Sequence, residues 1–222
     1  MRSLPYVVPF GAVIGLLAVR PYLPLSPLVE QTVWILVMTA ILAVVARPVL
    51  FNQRDFRVRN WGGSVLLGVA VFIIWIAPDR IFPGYHSHWL FTNSITGAVV
   101  SSLAGSSRGD WAVLTLRTLR AAVFVPIAEE LFWRAWLMRW IVSQDFTKIP
   151  LGAWSARAFW IVAVLFAVEH GALWDVGLAA GILYNWWMVR TKSLGDVIVA
   201  HGVTNAVLSA YVIFANQWQY WP

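Results

Sequence analysis

Long apolar runs alternate with short polar interruptions along almost the whole chain, and their lengths match helices that cross a bilayer rather than strands or a water-facing helical layer. The pattern predicts spans at about Leu4 to Val19, Leu28 to Ala46, Trp61 to Ala77, Trp111 to Ile141, Ser155 to His170, Leu173 to Val189 and Leu194 to Ala215. Arg20-Pro21 and Arg47-Pro48 end the first two, because proline removes a helical donor and arginine leaves the apolar run. The stretch from Pro78 to Asp110 is the one long connector, and a short interfacial helix is expected within it at Trp89 to Leu103. The fourth run is too long for a helix perpendicular to the membrane, so a tilt or an exposed first turn is expected. Pro126 inside it should kink the helix and free a backbone carbonyl.

Composition supports a membrane solvent. The 222 residues are 60% hydrophobic and 12% charged, with 15 Trp and a mean hydropathy of +0.71, whereas a soluble domain is about 25% charged. The fold class expected is all-α, a polytopic bundle of about seven to eight transmembrane helices with a polar site in its interior. It forms a single integral-membrane domain over 1–222, its core at about 111–215. The net charge of +6 comes from arginines between apolar segments, not from one basic stripe, which fits orientation signals and speaks against a nucleic-acid partner. Arg47, Arg54, Arg57 and Arg59 against Asp55 place the 47–60 loop in the cytoplasm. Counting crossings then puts the N-terminus, the 142–155 connector and the 190–193 turn on that side, in what is expected to be a bacterial plasma membrane. Without cysteine, disulfides, thiol catalysis and thiolate metal sites are excluded.

Against this background Glu129-Glu130-Leu-Phe-Trp-Arg134 stands out. A carboxylate at the bilayer centre costs on the order of 2.5–3.5 kcal/mol, so such groups face the protein interior and point to function. At about 1.5 Å per residue, Glu129 lies roughly 18 Å, His170 roughly 21 Å and His201 roughly 11 Å from the end of its span, all in the middle of a ~30 Å core. Phe166 with His170, His201 with Asn205, and Glu130 with Arg134 are each spaced i,i+4, on one helix face. Three helices therefore offer polar faces at similar depth. Taken singly, each has a plain structural account: an intrahelical ion pair for Glu130 and Arg134, a hydrogen-bonded core histidine for His170 or His201, an interhelical hydrogen bond for Asn205. Their joint occurrence makes the case for a site.

The order Glu129-Glu130-xxx-Arg134, Phe166-xxx-His170, His201-xxx-Asn205 resembles the CAAX protease and bacteriocin-processing (CPBP, or Abi) intramembrane proteases, which include the type II CAAX prenyl endopeptidases. The resemblance covers about residues 120–210, and a weaker similarity points to the bacterial branch found alongside exosortase sorting systems. It implies that Glu129 is the base that activates water, that His170 holds the water, and that His201 and Asn205 face the oxyanion. Glu130 would pair with Arg134, one carboxylate acting while its neighbour points elsewhere. Glu129, His170 and His201 could also hold a zinc ion with an open position, although the His-Glu-xx-His spacing of zincins is lacking; a metal-free glutamate mechanism is favoured, with no cofactor. The partners implied are the bilayer and a membrane-tethered or lipidated peptide or protein as substrate. Two other classes stay open, a small transporter or proton-relay protein and a catalytically idle immunity or scaffold protein. Glu169 has no role in the pattern. His86 and His88 read as exposed loop residues, Arg117 and Arg120 as snorkelling or substrate-end contacts, Asn185 and Asp175 as packing or support for the site.

Overall fold

The computed structural model describes residues 2–51 and 56–221. The expected Arg54 and Asp55 of the basic loop lie outside the described residues. Helix α1 covers Leu4–Val19, α2 Pro27–Val44, α3 Trp61–Ile81, α4 Trp111–Trp140, α5 Ala156–Glu169, α6 Trp174–Thr191 and α7 Leu194–Phe214. The boundaries follow local chemistry. Asn60, Asp110, Ser155 and Ser193 cap α3, α4, α5 and α7 by accepting first-turn amides. The architecture is an all-α membrane bundle, with no strand among the described residues.

One expectation needs correction. The 89–103 stretch contains no helix; it holds turns and an Asn93–Gly97 bridge, with 3₁₀ turns at Tyr85–Ser87 and Gly105–Ser107 to either side. Its Asn93 side chain accepts amides two and three residues ahead, from Ile95 and Thr96, which competes with helix formation. Among the described residues five helices, α1 to α4 and α7, are long and apolar enough to cross a membrane by themselves. With 14 residues, α5 reaches only ~21 Å, and α6 interrupts its apolar surface with Asp175, Asn185 and Arg190. These two pair along their length, as α3 and α7 pair, and Trp160, Ile161, Val164, Leu165 and Val168 leave one apolar face of α5 exposed.

Loops meet at two ends. Asp196 of α7 accepts the Arg59 and Asn60 amides at 2.9 Å each, Ser193 Oγ donates to Arg57 O, and Arg2 meets Asp145 at 3.2 Å. The N-terminus, the basic loop, the 142–155 connector and the 190–193 turn thus share one end. At the other, Ser102 N donates to Trp221 O. Arg117 and Arg120 are both buried: Arg117 donates to Ser102 Oγ at 2.7 Å, and Arg120 lies over Trp34, 3.9 Å from Glu30. They tie α4 to its surroundings in place of snorkelling.

Candidate active site

Helix α4 brings the site together through an irregularity. It turns as a π-helix at Arg120–Phe124 and again at Leu131–Leu137, on either side of Glu129-Glu130, and such widened turns are frequent at functional sites. Pro126 has no N–H to give. In π register the acceptor it leaves unclaimed is Ala121, five residues earlier, and the Asn205 side-chain amide donates to that oxygen at 2.8 Å. The carbonyl expected from the proline is therefore the one that anchors Asn205 of α7.

Glu130 sits at the centre of a buried network. Its Oε1 accepts from Arg134 Nη1 at 3.0 Å and faces His201 Nδ1 at 2.8 Å. Arg134 Nε donates to Asn185 Oδ1 at 3.0 Å, and Asn185 Nδ2 donates to Phe159 O at 2.8 Å. Glu130, Arg134 and Asn185 are each fully buried, so α4, α5, α6 and α7 are joined by ion-paired and amide hydrogen bonds in a dry interior, where such bonds are strong and an unpaired group is costly. The guanidinium also lies 4.5 Å over the Phe166 ring and 5.5 Å over Tyr184. Tyr184 stacks on His201 at 5.0 Å and donates to Thr204 Oγ1, which donates to Gly68 O of α3 at 2.9 Å.

These contacts set the histidine tautomers. A carboxylate held by arginine accepts only, so His201 Nδ1 carries the hydrogen and Nε2 presents a lone pair. His170 Nδ1 lies 2.7 Å from the Phe166 carbonyl, also an acceptor, which leaves His170 in the same state. His201 Nε2 is 4.0 Å from Glu129 Oε2. Glu129 is 6% exposed, and that oxygen has no hydrogen-bond partner.

Glu129, His170, His201 and Asn205 line one cavity of about 420 Å³ together with Glu169, Tyr184, Trp75 and, from the connector, Thr96 to Val99. Glu130 and Arg134 stand behind this wall. The six residues named from the sequence are thus neighbours, and Glu130, which pairs with Arg134 and points away from the cavity, also holds His201. The donor types suit zinc, yet among the described residues no three His, Asp or Glu side chains converge at metal-holding spacing.

Residues 109–207, which contain all six, match the family model of type II CAAX prenyl endopeptidases, Rce1-like. Over that stretch the chain is similar to this family of intramembrane CAAX proteases. No curated protein and no solved structure matches the chain.

Outside the matched stretch, α3 contributes Trp75 to the cavity and the Gly68 carbonyl as acceptor for Thr204. The connector lines one end of the cavity with Thr96 to Val99, and it is tied to α3 and α6 by a clamp that the sequence reading missed. His86 is 2% exposed, not a surface residue: Nδ1 lies 2.6 Å from Asp79 Oδ2 of α3, Nε2 lies 3.0 Å from Asp175 Oδ1 of α6, and Tyr220 OH donates to Asp79. Burial opposes charging this imidazole, but the hydrogen bonds and charges of Asp175 and Asp79 together outweigh it and raise its pKa above 6.5. The two aspartates were visible in the sequence, but 7 and 89 positions away, spacings that carry no local signal. Asp175 and Asn185, weighed as packing or support, are both polar partners. His88 remains a loop residue, and its ring accepts from Leu90 N.

Proposed function

We propose that the protein is a glutamate-type intramembrane endopeptidase that hydrolyses a peptide bond in a membrane-anchored or lipidated substrate. The observation that carries the reading is the opposition of Glu129 Oε2 and His201 Nε2 at 4.0 Å across a cavity wall, both of them acceptors free to take the two hydrogens of one water. Glu129 removes one proton as the water oxygen attacks the scissile carbonyl, and His201 orients that water by accepting its second hydrogen at Nε2, with His170 in the same cavity wall. The Asn205 amide uses one N–H on Ala121 and has a second to donate to the oxyanion. When the C–N bond breaks, protonated Glu129 returns the proton to the leaving amine. In this scheme His201 can donate to the oxyanion only as an imidazolium, so Asn205 is the neutral donor. Glu130, Arg134 and Asn185 position His201 without touching substrate.

The test is cleavage of a library of membrane-anchored and lipidated peptides by the purified protein in lipid, beside Glu129→Ala and His201→Ala. Product from wild type and none from either folded variant supports the reading. Product undiminished in Glu129→Ala overturns it. A flux of ions with no cleavage would favour the transporter class.

A further inference from the structure

The cavity contains more negative charge than the proposed chemistry uses. Three carboxylates, Glu129, Glu130 and Glu169, gather around one guanidinium, that of Arg134, whose Nε and Nη1 are committed to Asn185 and Glu130. Glu130 is balanced by that contact. Glu129 and Glu169 both line the cavity, where no Lys or Arg joins them among the described residues. Glu169 Oε2 is buried with no hydrogen-bond partner, the Trp133 indole being the neutral donor beside it. Its position compounds the imbalance: Glu169 is the last residue of α5, at the negative end of the helix dipole, where a cation is favoured and an anion is not. Gly171, at φ +54°, then turns the chain away, with no room for a side chain against the Thr96 carbonyl. Beyond Glu169 the walls are apolar and aromatic, with Trp75, Leu173, Leu208 and Trp221 among them, a surface that suits the methylene stem of a long cationic side chain.

We infer that Glu169 is a specificity-determining residue that selects a substrate carrying an arginine or lysine next to the cleaved bond, the side-chain cation meeting the Glu169 carboxylate inside the cavity. This rests on the endopeptidase reading for its context, but the subsite is a binding property that can be measured apart from cleavage.

The experiment uses membrane-anchored peptides in lipid nanodiscs with a single arginine scanned along the sequence, each paired with a citrulline twin of the same shape and no charge. Wild type should cut the arginine peptide about 10- to 100-fold better than its twin at one position, the range of one charged hydrogen bond. Glu169→Gln should lose the preference, cutting the arginine peptide no better than its citrulline twin. Binding is read in a Glu129→Gln background with and without Glu169→Gln, and the arginine-to-citrulline affinity ratio should collapse to near 1 with the second change. If nothing is cleaved but that ratio collapses, the cation subsite stands and the endopeptidase reading falls. If wild type cuts both twins alike at every position, or Glu169→Gln keeps the preference, or it loses cleavage of both twins equally, the inference falls while the protease stands.

Discussion

Asn185→Ala removes two hydrogen bonds at once, the 3.0 Å bond to Arg134 Nε and the 2.8 Å bond to the Phe159 carbonyl. On the scale of soluble proteins a bond to a charged group contributes about 1.5–3 kcal/mol and a neutral one about 0.5–1.5, a sum of about 2–4.5. In a bilayer, interhelical hydrogen bonds average only ~0.6 kcal/mol, because helices separated in lipid find other partners, which sets a floor of about 1.2. Arg134 decides between the two. It is fully buried, and its Nη2 already has no hydrogen-bond partner, so a second orphaned nitrogen on a desolvated guanidinium draws a penalty near the upper range, about 2–4 kcal/mol. The assay is reversible unfolding in lipid micelles, with Thr32→Ala as a control, since Thr32 is exposed and bonds only to its own helix at Leu28 O. A double-mutant cycle with Arg134→Met should recover a coupling above about 1 kcal/mol. A loss below ~0.5 kcal/mol, or a cycle without coupling, would refute the argument that Asn185 holds the arginine. Cleavage should fall with it, chiefly in kcat, because His201 is oriented through Glu130.

Glu129→Gln should lower kcat by about 10²-fold or more and leave thermal stability unchanged or raised, since it replaces a buried carboxyl group whose Oε2 has no partner; a fully active variant would displace Glu129 from its role. Gly68→Ala should destabilise by about 1–3 kcal/mol, because a Cβ there would stand 2.5 Å from the Ala200 carbonyl and 2.7 Å from Val203, and a melting temperature equal to wild type would count against the close α3–α7 approach. The pKa of His86 is raised above 6.5, so its clamp stabilises fully below about pH 6.5 and weakens as pH rises through the raised value; His86→Gln should flatten that slope in hydrogen exchange of residues 85–99, and an unchanged slope would locate the dependence elsewhere. Cleavage that survives exhaustive chelation and dialysis is expected for a water activated by side chains alone, and activity restored only by added zinc would reverse this.

Much of the architecture was legible because a bilayer demands long apolar runs. Leu4–Val19 and the starts at Trp61, Trp111 and Leu194 are read directly from hydropathy. The i,i+4 spacings likewise put Glu130 beside Arg134 before any coordinates. What could not be read is where each polar group finds its partner. His86 looked like a loop histidine until α3 and α6 brought Asp79 and Asp175 to its two nitrogens. Asn185 looked like packing until Arg134 reached it from another helix.

The division follows from range. The one-dimensional pattern of apolar and charged residues determined the helices, the membrane setting and the set of intramembrane polar residues, since solvation and helix geometry act within a few residues of chain. Only the tertiary structure decided that Glu130 orients His201, that Asn205 claims the carbonyl Pro126 leaves open, that Glu169 enters the same cavity as Glu129, and that a connector histidine ties α3 to α6. Those outcomes depend on hydrogen bonds and charges 71 and 84 residues apart in the chain, and a buried polar atom takes whichever partner the packed helices bring within about 3 Å.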